Sequence, residues 1–229
     1  LFEPRPVNPA QIIAWQMAHP ALLQNLIQAV QDEYRILIIG GTATGKTTLL
    51  SALCSGIPKQ ARVVKVEDPE EIWLDHPHVV TLEARPVTVG SSAAPFRIKD
   101  GVDNALRMAP RWLIVGEVRS GDAALALFRA QMSDHPGLST FHAESPEAAA
   151  TRMSLIMQAD SGVDLQAATL IFGQAIDLVV QVGWQAGLRR VLGVYEVERA
   201  RGLQMDFRSL YQYGDPVMAA PQPRDRSRI

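Results

Sequence analysis

The feature that most constrains this chain is the run Gly40-Gly41-Thr42-Ala43-Thr44-Gly45-Lys46-Thr47-Thr48, which follows the aliphatic stretch Ile36-Leu37-Ile38-Ile39 and precedes Leu49-Leu50-Ser51-Ala52-Leu53. Strand, glycine-rich loop and helix in that order form a phosphate-binding loop in its required setting. A triphosphate tail has to be wrapped by backbone N–H groups, and Gly40 and Gly45 let the backbone turn and approach closely enough to do so. The spacing places Lys46 to reach the β- and γ-phosphates and the Thr47 hydroxyl to hold Mg²⁺. The N-terminus of the following helix adds further donors and partial positive charge. The run from Gly40 to Thr48 is thus the expected nucleotide-binding surface, and by itself it admits a kinase, a GTPase or an ATPase.

With 229 residues and 47% hydrophobic content, the chain can bury one large core, with or without a small appendage. A net charge of −2 and a pI near 6.2 leave no basic excess of the kind a duplex-binding surface carries, which disfavours nucleic acid as a partner. Cys54 is the only cysteine, so no disulfide forms within the chain, and its expected role is that of a small buried apolar residue. No apolar run approaches the roughly eighteen residues of a membrane span, and a cytoplasmic location is the default expectation. The first residue is Leu rather than Met, and the chain is expected to be a piece of a longer one.

Residues 1–8 are rich in Pro and include Arg5, the composition of a linker. Asn8-Pro9 has the form of a helix start, followed by Ile12, Ile13 and Met17, and a second helix is expected near Pro20 with an apolar stripe at Leu22, Leu23, Leu26, Ile27 and Val30. Trp15 is expected to join these residues in the core. Downstream, amphipathic helices are expected from Gly121, from Ser145 and over 164–173, with the Met-rich ones packed in the core. Strands are expected over 177–182, 190–197 and 203–207, joined by Gly-containing turns. The organisation is therefore a linker over 1–8, a folded domain over 9–213 and a flexible tail over 214–229.

Two buried-strand patterns end in acids. Arg62 to Val66 delivers Glu67-Asp68 to the carboxyl end of a strand, the rim on which an open parallel sheet binds ligands. Taken alone, such a pair is more simply a solvated turn or a helix cap, and Pro69-Glu70-Glu71, which has the look of a helix start, strengthens that reading. The second pattern, Trp112-Leu113-Ile114-Val115-Gly116-Glu117, sets Glu117 where a phosphate-loop enzyme needs an acid to hold Mg²⁺ through water or to orient the attacking water. The stretch from His135 to Ala143 places a strand between two histidines. His142, at its carboxyl end, is positioned to sense the γ-phosphate, although a lone histidine is as often structural.

These elements, in this order, resemble the secretion ATPase superfamily of type II and type IV secretion, type IV pilus and tight-adherence pilus motors. The resemblance covers residues from about 9 to about 210. It rests on the phosphate loop, an acidic box at Val64 to Ile72, a second acidic motif from Leu106 through Pro110 to Val115-Gly116-Glu117-Val118-Arg119, and a histidine box from His135 to Ala143 continued by Arg152-Met153. The segment from His78 to Pro86 looks most like the tight-adherence (Flp) pilus branch, with conjugation and type IV secretion motors next. The chain departs from the family pattern at Ala109-Pro110-Arg111-Trp112, where Arg-Pro-Asp-Arg is usual, at Ser133-Asp134 for Thr-Gly, and at Ser120 for Gly.

The resemblance implies an α/β fold: a RecA-like core, helices packed on a mostly parallel sheet, and added C-terminal strands. It implies ATP and Mg²⁺ as nucleotide and metal, and a homohexameric ring docked on an inner-membrane platform protein. A further N-terminal domain would lie outside this segment. In such a ring an arginine supplied in trans stabilises charge developing on the γ-phosphate, with Arg85, Arg107 and Arg119 as the candidates beside Glu117, Glu67 and His142 in the catalytic set. The alternatives are a nucleotide-gated assembly module with little turnover and a conjugative DNA-transfer ATPase.

Overall fold

A computed structural model of the chain describes residues 6–85 and 94–223. The expected linker therefore lies outside the described residues as far as residue 5, as do Pro86 of the pilus-like segment and the end of the tail beyond 223.

The chain opens with α1 (Pro9–Ala14) and α2 (Pro20–Gln31). Asn8 caps α1 reciprocally: its side chain accepts from the Gln11 N–H at 3.0 Å while the Gln11 side chain accepts from the Asn8 N–H at 2.9 Å. Trp15 does not join the core and is 50% exposed. The reason is local: α1 lasts six residues and Gln16 takes a positive φ, so the helical spacing stops before Trp15, and Ile12 and Met17 fill the buried positions.

There follow β1 (Ile36–Ile39), α3 (Lys46–Leu53), β2 (Val63–Glu67), β3 (Val79–Glu83) and α4 (Ile98–Ala105), then β4 (Trp112–Val115), α5 (Gly121–Met132) and β5 (Gly137–Phe141). The chain continues through α6 (Pro146–Ser161), α7 (Leu165–Ala175), β6 (Leu178–Gln185), β7 (Leu188–Arg201) and β8 (Gln204–Gln212). The strands form one sheet in the order β3-β2-β4-β5-β1-β6-β7-β8. It is parallel from β3 to β6, and β7 and β8 extend it antiparallel as a meander. This is the RecA-like α/β fold with added C-terminal strands. β3 and α4 had no counterpart in the sequence reading, and Pro69-Glu70-Glu71 starts no helix.

Alternation along β1 explains the layering. Ile36 and Ile38 pack with α1, α2 and α3 on one face, whereas Leu37 and Ile39 pack with α4 to α7 on the other. Both faces are covered, which is why the strand reads as an unbroken apolar run. The methionines of α6, Met153 and Met157, are fully buried, and Cys54 is buried behind α3, where desolvation pushes its thiol pKa upward.

Residues 214–223 form no helix or strand, yet they are tied down rather than loose. Tyr34 donates to the Gln222 carbonyl at 2.7 Å, the Gln222 N–H donates to Glu196 at 2.7 Å, and Met218 is buried against the core. The anchoring partners are side chains from distant parts of the chain, Tyr34 between α2 and β1 and Glu196 on β7.

Candidate functional site

The carboxyl ends of β1, β2, β4 and β5 open onto a cavity of about 490 Å³. Thr42 to Thr48 form one wall, and Glu67, Asp68, Glu71, Glu117 and Arg119 stand around it. The loop geometry follows from its glycines. Gly45 caps α3 with φ +94°, a left-handed conformation that side chains disfavour. A Cβ on Gly40 would lie 2.4 Å from the Val182 carbonyl of β6, so a larger residue there would push the loop away from the sheet.

Lys46 is buried and folds back over its own loop, donating to the Gly40 carbonyl at 3.1 Å and the Gly41 carbonyl at 2.9 Å. Desolvation lowers its pKa, opposed by the nearby carboxylates of Glu117 and Glu71. Thr44 donates to the Gly41 carbonyl at 2.9 Å and stiffens the turn. Thr47 reaches toward a Glu71 carboxylate oxygen at 3.5 Å, the limit of a hydrogen bond.

Glu67 is almost wholly buried. One of its oxygens accepts the N–H groups of Glu71 at 3.1 Å and Ile72 at 3.0 Å, and the other is ion-paired with Lys65 at 2.8 Å. Lys65 also reaches Glu70 and the Ile72 carbonyl. This network folds the segment after β2 back against the sheet and brings Glu71 to Thr47. Glu117, just beyond β4, accepts from Arg119 Nε at 2.6 Å, and that hydrogen bond raises the guanidinium pKa.

Of the expected site residues, the structure gathers Thr42 to Thr48, Glu67, Glu117 and Arg119 around one cavity. Arg85 borders an adjoining recess of about 290 Å³ that shares Asp68, Glu117 and Arg119 with it. Arg107 is exposed on a 3-10 turn, Leu106–Met108, and lines neither space. His142 lies one residue past β5 and is not part of the cavity wall; its carbonyl accepts from Arg152 at 2.6 Å. From β5 the wall instead receives Thr140, which donates to the Gly116 carbonyl at 2.6 Å.

Thr140, Glu71 and Arg189 are cavity residues that the sequence reading missed. Glu71 sits inside the acidic box, but its contact with Thr47 depends on the fold-back after β2. Arg189 comes from the hairpin of β6 and β7, more than 140 residues from the loop it faces. Arg111, at the altered Ala-Pro-Arg-Trp stretch, pairs with Glu33 at the end of α2, so the departure places a base against an available acid.

The hydroxyl of Thr47 and the carboxylates of Glu71 and Glu117 are hard oxygen donors that fit Mg²⁺. Among the described residues no group of three or more His, Cys, Asp or Glu is arranged to hold a metal ion.

Fold and cavity together define an α/β protein of RecA-like architecture whose glycine-rich strand–loop–helix opens onto a polar cavity at the carboxyl ends of the strands. The sequence matches the family described as type II/IV secretion system protein over residues 1–181, and the chain belongs to that family. It is 38% identical over 175 residues to the type IV secretion system protein PtlH of Bordetella pertussis, covering 73% of this chain and 51% of that protein. It is 33% identical over 174 residues to the type IV secretion system protein VirB11 of Bartonella henselae, covering 74% of this chain and 48% of that protein. Among solved structures, the VirB11 ATPase of the Brucella suis type IV secretion system, in complex with sulphate, superposes with a TM-score of 0.68 at 27% identity. That match covers 84% of this chain and 57% of the other. The chain spans about half the length of the curated relatives it matches.

Proposed function

We propose that this chain is the ATP-hydrolysing core of a motor that powers macromolecular secretion or pilus assembly across the bacterial envelope. The observation that carries the proposal is the convergence of Lys46, Thr47, Glu71 and Glu117 on one cavity at the carboxyl ends of β1, β2 and β4, in a chain of this family. Secretion ATPases among its relatives and structural neighbours support the activity.

In this reading the loop N–H groups hold the phosphates, and Lys46 exchanges its two loop carbonyls for phosphate oxygens. Mg²⁺, held by the Thr47 hydroxyl and through water by Glu117, would neutralise charge on the β- and γ-phosphates. Glu117 orients the attacking water once Arg119 releases it. Glu67, tied to Lys65 and two backbone N–H groups, keeps the acidic segment in place.

The domain over 9–213 would work in a homohexamer, cytoplasmic and peripheral to the inner membrane through a platform protein. Among the described residues no helix is long and apolar enough to cross a membrane. Arg85, at the adjoining recess, and the exposed Arg107 lie outside the wall of their own chain's cavity, which leaves both for a neighbouring subunit. Within the family, the sequence from His78 to Pro86 favours the tight-adherence branch. Steady-state phosphate release, lost in Lys46→Ala, tests the whole reading.

The Glu117–Arg119 pair favours a second reading, a nucleotide-gated assembly module. With its carboxylate clasped at 2.6 Å, an isolated subunit would bind ATP and turn it over only after a neighbour displaces Arg119. Phosphate release that stays at background at every protein concentration, while ATP drives ring formation, would select this reading.

A further inference from the structure

Arg189 is a cation of the nucleotide cavity that nothing in the phosphate-loop motif anticipates. It projects from β7 of the hairpin closed by Ala186-Gly187, where both residues take positive φ and the strands pair Gln185 with Leu188 and Trp184 with Arg189. Two consecutive positive-φ residues make the tight turn whose twist matches paired strands, so the hairpin is a rigid mount. The hairpin is also tied at its base: the Val191 N–H donates to the Met17 carbonyl at 2.8 Å and Arg190 donates to Gln16 Oε1 at 3.1 Å. Successive strand residues face opposite sides. Arg190 is spent on the α1 to α2 connection, which leaves Arg189 for the phosphate loop.

Its surroundings argue for an anionic partner. The Arg189 Cδ lies 3.4 Å from the position a Cβ on Gly45 would occupy, and the residue lines the same cavity as Lys46 and Thr47. The other cations of that wall already have oxygen partners, Arg119 on Glu117 and Lys46 on two carbonyls. Among the described residues, Arg189 makes no ion pair or side-chain hydrogen bond. Its guanidinium lies over the Trp184 ring, 5.3 Å from the centroid, which holds it by a cation–π contact and leaves its N–H donors uncommitted. A planar fork of donors in a cradle of backbone N–H groups is suited to phosphate oxygens.

We infer that Arg189 is a nucleotide-binding residue acting in cis, donating to the phosphates shared by ADP and ATP, with Trp184 as its positioning residue. The placement beside Gly45, rather than beside Glu117 where the γ-phosphate chemistry would occur, sets the contact on the shared phosphates. This rests on the nucleotide-binding reading above.

The test is equilibrium binding of a fluorescent ADP and a fluorescent non-hydrolysable ATP analogue to the wild-type chain and to Arg189→Ala, Arg189→Lys, Trp184→Ala, Trp184→Phe and Lys46→Ala. Arg189→Ala is expected to weaken both ligands about tenfold and equally, and Arg189→Lys to recover part of the loss. Trp184→Ala should cost several-fold, and Trp184→Phe, which keeps an aromatic face, should restore the affinity. Arg189→Ala binding both ligands within twofold of wild type, or losing only the triphosphate analogue, would overturn the inference. Wild-type binding by Lys46→Ala would instead show that the cavity is not a phosphate-loop site, a separate failure.

Discussion

Glu117 and Arg119 are joined across the cavity mouth by a 2.6 Å contact between a carboxylate oxygen and Arg119 Nε. Lying just past the end of β4 and separated only by the buried Val118, the two side chains turn to the same side. In the proposed function, the acid that would meet water is therefore held by a base that nucleotide or a neighbouring subunit would have to move.

Glu117→Gln is expected to keep ATP binding and lose hydrolysis at least about a hundredfold, the scale of a general base or an oriented water. Single-turnover phosphate release beside equilibrium binding checks this. A drop in affinity with normal saturated turnover would make Glu117 a binding residue only. Arg119→Ala frees the Glu117 carboxylate and should raise turnover of the isolated subunit, whereas a fall would show that Arg119 serves the phosphates and is no restraint.

Lys46→Ala should abolish turnover while leaving the fold intact, as judged by circular dichroism. Desolvation lowers the Lys46 pKa, so the charged form is lost as pH rises through a value below that of an ordinary lysine. Nucleotide affinity of the wild-type chain is expected to fall over that alkaline range. An affinity flat up to pH 10.5, the usual lysine value, would show that Lys46 makes no charged contact with phosphate.

His142 lies off the cavity wall, so the proposed γ-phosphate contact requires the triphosphate to draw the end of β5 inward; His142→Ala is then expected to lower turnover and weaken a non-hydrolysable ATP analogue while leaving ADP affinity within about twofold. Equal weakening of both ligands, or loss of stability alone, would assign His142 to packing. Thr140→Val provides the contrast. It removes the hydroxyl that anchors the Gly116 carbonyl and should lower kcat several-fold by loosening Glu117, with little change in nucleotide affinity.

Arg35 and Asp177 tie the start of β1 to the start of β6 through bonds of 2.9 Å from Nε and 2.6 Å from Nη2, and both side chains are largely buried. Asp177→Ala leaves a buried guanidinium short of its partner and is expected to cost about 3 kcal/mol in urea unfolding. A change under about 0.5 kcal/mol, the level of an exposed pair, would show that water replaces the carboxylate.

What the chain determines locally was legible in its residues. The phosphate loop depends on glycine at Gly40 and Gly45 and on the helix that follows, and such short-range stereochemistry is written in consecutive residues. The same holds for the Asn8 cap and for Glu117 at the end of a buried strand. Longer-range placement was decided by packing. Trp15 lies outside because α1 ends one residue too soon, a boundary that apolar spacing does not report. The tail after Tyr213 is anchored because Tyr34 and Glu196 offer it partners from distant elements. Glu71 meets Thr47 only because Lys65 and Glu67 fold the intervening segment back. Arg189 reaches the cavity because β6 lies beside β1 in the sheet, which carries the hairpin to the phosphate loop. Pairing between strands far apart in the chain has no signature in either strand alone, so the cation that completes the cavity belongs to the tertiary structure.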